Sequence, residues 1–251
     1  MKLKIFICGL LVCGLTFPVF AQSGVADAKA FLARVQNTYR KAAYLGFNIK
    51  YRYSNAASTD KILDSLTGTI QMDKSRCRLL LDGTETVMTG KYIIQVMPEE
   101  QAIFLAGANT IAAAAANPIQ MLDSAFAHLE GVHCQVISEG GSSVLKMDFP
   151  TGRQYSWIKM EADANTGLFR RISYGLQVKG LVSEDMIDRP GHPGQYQQRG
   201  QLDMIFSDYE NGRFGDAVFD ENNYITRIAQ GKFEPAGQFR DYHIFLTNSN
   251  L

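Results

Sequence analysis

The chain has 251 residues, 46% of them hydrophobic, with 25 Lys and Arg against 25 Asp and Glu. A net charge of zero leaves no basic excess to neutralise phosphates, which argues against nucleic acid as a partner. With 11% aromatic and 20% charged residues the chain is too apolar to be disordered, and a chain this long buries enough surface to fold without disulfide staples.

Residues 1–21 have the pattern of a cleaved secretory signal. Met1-Lys2-Leu3-Lys4 is a short positive start, residues 5–17 are almost uninterruptedly apolar, and Val19-Phe20-Ala21 supplies small or medium side chains before Gln22. The apolar run is shorter than the roughly 20 residues of a membrane span. Lipid attachment at Cys8 or Cys13 calls for a small preceding residue, and Ile7 and Val12 stand there instead. Loss of the signal removes Lys2 and Lys4, leaving 23 basic against 25 acidic side chains, a net charge of −2. The expected organisation is a signal peptide over residues 1–21 and a single domain over residues 22–251.

Residues 25–43 carry Val25, Ala28, Phe31, Leu32, Val35, Tyr39 and Ala42 at helical spacing, with Asp27 near the start and Arg40-Lys41 near the end to suit the helix dipole. Period-two alternation then begins at residues 47–53. It recurs over residues 68–73, 76–82, 84–89, 91–97 and 101–105, separated by turns too short for anything but antiparallel neighbours. Asn117-Pro118 places a capping residue before a first-turn proline, and Ile119, Leu122, Phe126 and Leu129 follow at helical spacing. Strands are expected again at 132–138, 143–149, 155–161, 168–178, 201–209 and near 239–246. Residues 183–200, with Pro190 and Pro193, read as a long loop. Antiparallel strands with two amphipathic helices make the fold class α+β: a curved antiparallel sheet that covers its apolar face with those helices.

Catalytic chemistry finds little support. His128, His133 and Cys134 straddle a predicted helix end with no second ligand pair, which is not the spacing of a metal site. Gly83 and Gly90-Lys91 form a hairpin rather than a phosphate loop, because Tyr92 stands where Ser or Thr is required. Gly140-Gly141-Ser142-Ser143 lacks the second glycine of a nucleophile elbow. Neither an enzyme activity nor a cofactor is expected. Cys77 and Cys134 each lie in an alternating apolar run and are expected to face inward, either as two buried thiols or as a disulfide.

Several segments, taken in order, carry a resemblance. They are Gly68-Thr-Ile-Gln-Met-Asp-Lys-Ser75, a strand to Asp82, the hairpin from Met88 to Gln101, Asn117-Pro118-Ile119-Gln120-Met121-Leu122, Trp157-Ile158-Lys159-Met160 with its Thr166-Gly167 turn, and Ile205-Phe-Ser-Asp-Tyr-Glu-Asn211. In this order they resemble the LolA-type outer-membrane lipoprotein carriers, over roughly residues 25–224. The resemblance implies an incomplete barrel in the periplasm that shelters lipid acyl chains or lipoproteins beneath a helical lid. It also implies possible envelope membrane proteins as partners and a monomeric carrier.

On that reading the lipid-binding residues are Ile70, Met72, Leu79, Leu81, Ile94, Val96, Ile158, Met160 and Ile172 of the sheet and Ile119, Leu122 and Phe126 of the lid helix. The family's lid-latching arginine is matched here by Lys74, followed by Ser75. A lysine donates to carbonyls but lacks the guanidinium fork. The competing reading is an envelope interaction module on the same fold with a filled core.

Overall fold

The computed structural model describes residues 24–73, 76–108 and 131–247. The second amphipathic helix expected from the sequence, with Ile119, Leu122 and Phe126, lies outside them, as do Lys74 and the leader.

The first helix, α1 (Val25–Lys41), forms where the periodicity places it. It buries Ala28, Phe31, Leu32, Val35 and Tyr39 on one stripe, with Asp27 in its first turn and Arg40 and Lys41 in its last. The strands that follow are β1 (Tyr44–Asn55), β2 (Ile62–Asp73), β3 (Arg76–Leu81), β4 (Thr84–Met88), β5 (Tyr92–Met97), β6 (Ala102–Gly107), β7 (His133–Glu139), β8 (Ser142–Asp148), β9 (Tyr155–Asp163), β10 (Phe169–Gln177), β11 (Arg199–Glu210), β12 (Ile225–Ala229), β13 (Lys232–Pro235) and β14 (His243–Leu246).

Twelve of them form one sheet in the order β14-β6-β5-β4-β3-β2-β1-β11-β10-β9-β8-β7, and β12-β13 is a separate hairpin. Two antiparallel meanders, β1–β6 and β7–β11, are thus welded along β1 and β11. Among the described residues the edge strands β14 and β7 do not pair, so the sheet is open. The fold is α+β, as the alternation implied.

The sheet departs from a plain meander at its edge. β14 pairs parallel with β6, Ile244 opposite Ile103 and Phe245 opposite Phe104. A parallel neighbour needs a long crossover, and the chain supplies it by running from β11 through β12 and β13 before returning. Phe239 belongs to a short 3-10 turn rather than to that last strand.

Side chains sort by parity into three clusters. Alternate residues of β1–β3 and β8–β11, including Leu45, Phe47, Ile49, Ile70, Leu145, Met147, Ile158, Met160, Ile172 and Phe206, pack with the α1 stripe on what is here called the inner face. Val87, Ile94, Val96, Ile103 and Leu105 of β4–β6 pack on the outer face against Tyr224, Ile225 and Phe239 of the C-terminal segment. Leu176, Val178 and Ile187 form a small third cluster with Tyr53, Tyr196 and Leu202, where the loop of residues 178–198 folds back on the sheet.

Candidate functional site

Among the described residues, the inner face is where an α-helix and the sheet present apolar side chains to each other. Its position is fixed by polar ties at the C-terminal half of α1. The Arg34 guanidinium donates to the Ala164 carbonyl, and the Thr38 hydroxyl donates to that of Thr166 at 3.1 Å. Both acceptors lie in the β9–β10 turn, which Asp163 shapes by accepting from the Asn165 and Thr166 amides at 3.0 and 2.8 Å. Those amides, with Arg170, hold the Asp163 carboxyl down at about 2. Gly167 completes the turn with φ +75°, and a Cβ there would sit 2.6 Å from the Thr38 hydroxyl oxygen. Glycine is therefore required twice over, for its backbone and for the helix's approach.

The next residue of α1, Tyr39, closes a hydrogen-bonded ring. The Phe169 amide donates to the Tyr39 oxygen at 3.2 Å, the two phenols meet at 2.8 Å, and the Tyr209 hydroxyl donates to the Phe169 carbonyl at 2.8 Å. Since Tyr209 spends its proton on the carbonyl, Tyr39 must be the donor between the phenols. The ring satisfies the backbone at the start of β10 and joins α1 to β10 and β11. Burial pushes the Tyr39 hydroxyl up to about 12, against the lowering effect of the hydrogen bond it accepts from the Phe169 amide, and raises Tyr209 further. Phe47, Phe169 and Phe206 pack edge-on and tilted around the pair, with centroids 5.2–6.2 Å apart.

The residues predicted to line a lipid site separate into groups. Ile70, Ile158, Met160 and Ile172 are all at most 4% exposed and lie in the cluster beneath α1. Met72 and Leu79 are half-buried and pack against its margin. Leu81 is half-buried as well and shares a face with Cys77 and Leu79 through the two-residue repeat of β3. Tyr51, Tyr174 and Met204, which the sequence reading did not select, extend this margin. At the far end the Tyr53 hydroxyl is buried with no partner among the described residues, its ring lying over Gly200.

Two members do not belong to this face. Ile94 and Val96 are 0% and 1% exposed, yet they lie in the outer cluster under Tyr224 and Phe239. In β5 it is Ile93 that joins the inner cluster. Ile93 and Ile94 are adjacent and both apolar, so periodicity could not choose between them. The choice was made by the C-terminal segment, which covers the face bearing Ile94.

Cys77 and Cys134 both face inward, as expected, and both are free thiols. Of the two readings left open by the sequence, the structure takes the buried-thiol one. Burial pushes the Cys77 thiol up to about 12, which removes thiolate character.

The outer face carries its own polar frame. Glu85 accepts from the Arg78 guanidinium at 2.5 Å and from the Tyr224 hydroxyl at 2.7 Å. Arg76 pairs with Asp73 and Asp216 and lies 4.8 Å over the Phe219 ring, while Lys91 meets Glu221 at 3.0 Å. These contacts fasten the C-terminal segment around an apolar centre. Next to it, a groove of about 670 Å³ crosses the outer side of β1, β2 and β11, lined by Lys50, Thr67, Thr69, Leu80 and Ile205.

No protein-family model matches the sequence, and no curated protein does. The chain is similar to several solved structures. A LolA superfamily protein from Nitrosomonas europaea shares 12% identity at a TM-score of 0.34, the match covering 77% of this chain and 97% of that one. The lipoprotein LppX of Mycobacterium tuberculosis shares 12% at 0.37, covering 74% and 98%. A chain of the Pseudomonas aeruginosa MucA/MucB complex shares 16% at 0.43, covering 77% of this chain but 60% of that one. The fold is defined by the strand order and pairing given above, not by these values.

Proposed function

We propose that the protein is an envelope carrier that holds lipid acyl chains, free or on a lipoprotein, against the inner face of its sheet. The observation that carries this reading is the continuity of the inner face. The filled part under α1 runs without a polar break into a half-buried margin of Met72, Leu79, Tyr51, Tyr174 and Met204. An acyl chain of about 15 methylenes gains on the order of 12 kcal/mol by leaving water, at about 0.8 kcal/mol each. Only a continuous apolar surface returns that much. Met72 and Met204 suit a guest of variable shape, because thioethers repack at small cost. The element order that resembles the LolA-type carriers, and the secretory pattern of residues 1–21, support a periplasmic place for it.

A second reading has its own observation. Ile70, Ile158, Met160 and Ile172 are as buried as any core residue, which favours an interaction module whose interior is already full. The two separate in one experiment. Protein purified without detergent is extracted and its lipids identified by mass spectrometry, and the delipidated chain is titrated with a fluorescent fatty acid. A carrier yields stoichiometric lipid and saturable uptake that Leu79→Asp abolishes. A filled module yields neither, and that result overturns the carrier reading.

A further inference from the structure

The long loop between β10 and β11 does more than connect them. It leaves the sheet after Gln177, packs Ile187 on Val178 and Leu176, and returns beside its own start through the Val178 amide to the Gln198 carbonyl at 3.0 Å. Between the loop and the ends of the two strands lies a pocket of about 370 Å³. Three cations from three segments line it: Lys179 where β10 ends, Arg189 in the loop, and Arg199 where β11 begins. Glu184 is the one carboxylate in the lining, and it meets Arg189 at 3.6 Å. Asp188, in the same loop, turns its carboxylate to the Gly194 amide at 3.4 Å instead. Lys179 and Arg199 have no side-chain hydrogen bond or ion pair among the described residues.

Lys179 and Arg199 share the pocket without a counter-charge of their own, and like charges side by side repel one another until an anion joins them. The donor set defines which anion. Two guanidinium forks offer paired N–H groups at the spacing of phosphate oxygens, Lys179 adds a point charge, and the Gln198 amide lines the same pocket as a neutral donor, while the Gln177 amide donates to the Arg153 carbonyl at 3.2 Å. A net charge of +2 from the lining matches a tetrahedral dianion. We infer that this pocket binds a phosphate-type oxyanion, a site distinct from the apolar inner face. The oxyanion has two possible sources, a free phosphate or a phospholipid headgroup. Leu181 and Met186 of the same loop are 60% and 38% exposed, apolar surface that the acyl region of such a lipid would cover.

The test uses the full chain and inorganic phosphate as the probe, titrated calorimetrically at low ionic strength against a chloride control. Saturable binding is expected, weakened about tenfold or more by Lys179→Gln together with Arg199→Gln, since the two unpaired charges that hold the anion are both lost. Arg213→Gln, at an exposed position outside the pocket, is expected to leave it unchanged. The melting temperature without phosphate should be the same or higher in the double variant, because removing unopposed like charges relieves repulsion. Phosphate binding no tighter than chloride, or equal in wild type and double variant, overturns the site. Sedimentation with vesicles then separates the sources. Retention on phosphatidylglycerol but not phosphatidylcholine vesicles, competed by phosphate and lost in the double variant, identifies a headgroup. Phosphate binding without vesicle retention identifies a soluble oxyanion. Because neither arm involves the inner face, a failed fatty-acid titration leaves this result intact, and the reverse holds too.

Discussion

The two faces of the sheet solve the same problem by different means, the inner one over β7–β11 and the outer one over β3–β6. The inner face packs against one regular helix, tied down by a neutral ring of two phenols and a peptide unit at Tyr39, Tyr209 and Phe169. The outer face packs against short turns and a four-residue strand, framed by charges at Glu85, Arg78, Arg76 and Lys91. A helix brings its own backbone hydrogen bonds, so its cover needs only apolar contact and a few end ties. An irregular cover has more backbone to satisfy and fewer apolar side chains per residue, so polar anchors set its position. A consequence is that the strands beneath, buried on both sides, read as unbroken apolar runs such as Ala102-Ile103-Phe104-Leu105-Ala106.

The comparison is broken most forcefully by cavities in each core. Leu145→Ala, beneath α1, and Leu105→Ala, beneath the C-terminal segment, start from fully buried side chains. Each is expected to cost about 2–5 kcal/mol in denaturant unfolding. They should differ in kind: Leu105→Ala leaves fatty-acid uptake untouched, whereas Leu79→Ala, at the half-buried inner margin, should alter uptake while costing less stability than either.

The polar ties come next. Tyr209→Phe opens the phenol ring and leaves the Phe169 carbonyl without its donor, for about 1–3 kcal/mol. Tyr224→Phe removes a donor to the Glu85 carboxylate on the other face, and a similar loss of about 1.5–3 kcal/mol is expected. If the two faces unfold independently, the double variant is additive and shows two transitions. A single transition would mean that the shared sheet couples them.

Alkali distinguishes the faces more finely. Tyr39 titrates near 10 when unfolded and about 12 in the fold. The folded state holds its proton more tightly, so this contribution is complete below pH 10 and is lost as pH rises from 10 to about 12. The slope is at most about 1.4 kcal/mol per pH unit for each such group. Stability measured across that range should fall in wild type and fall less steeply in Tyr39→Phe. Gly167→Ala gives the smallest structural change with a clear readout, since its Cβ would press on the Thr38 hydroxyl. A loss of about 1–2 kcal/mol is expected from the positive φ and the contact together, with faster amide exchange in the last two turns of α1.

Much of the scaffold was legible in the chain. The α1 stripe, the antiparallel alternation, the Asn165-Thr166-Gly167 turn and the inward aim of Cys77, Ile70, Met160 and Ile172 all follow from period and turn chemistry. The hairpin of β12 and β13 was not legible. Ile225 alone is buried in β12 while Ile228 is 55% exposed, so no alternation marks it. The latch is another instance. The sequence pointed to Lys74, outside the described residues, whereas Arg34 and Thr38 of α1 make the carbonyl contacts that the structure does describe.

What the sequence determined by itself is local: which segments are helical or extended, where turns require glycine, and which residues are apolar enough to be buried. What only the tertiary structure decided is which side each buried residue serves. Period two assigns a strand two faces but cannot say which of them points to the helix when both are apolar, as at Ile93 and Ile94. That choice depends on the return of the C-terminal segment to lie along β6, a contact between residues about 140 positions apart. Such contacts form only after the sheet exists to receive them, because loop-closure entropy must be overcome first. The convergence of Lys179, Arg189 and Arg199 has the same origin. Each is an ordinary surface cation in the chain, and only the folding back of the loop onto β10 and β11 makes them neighbours.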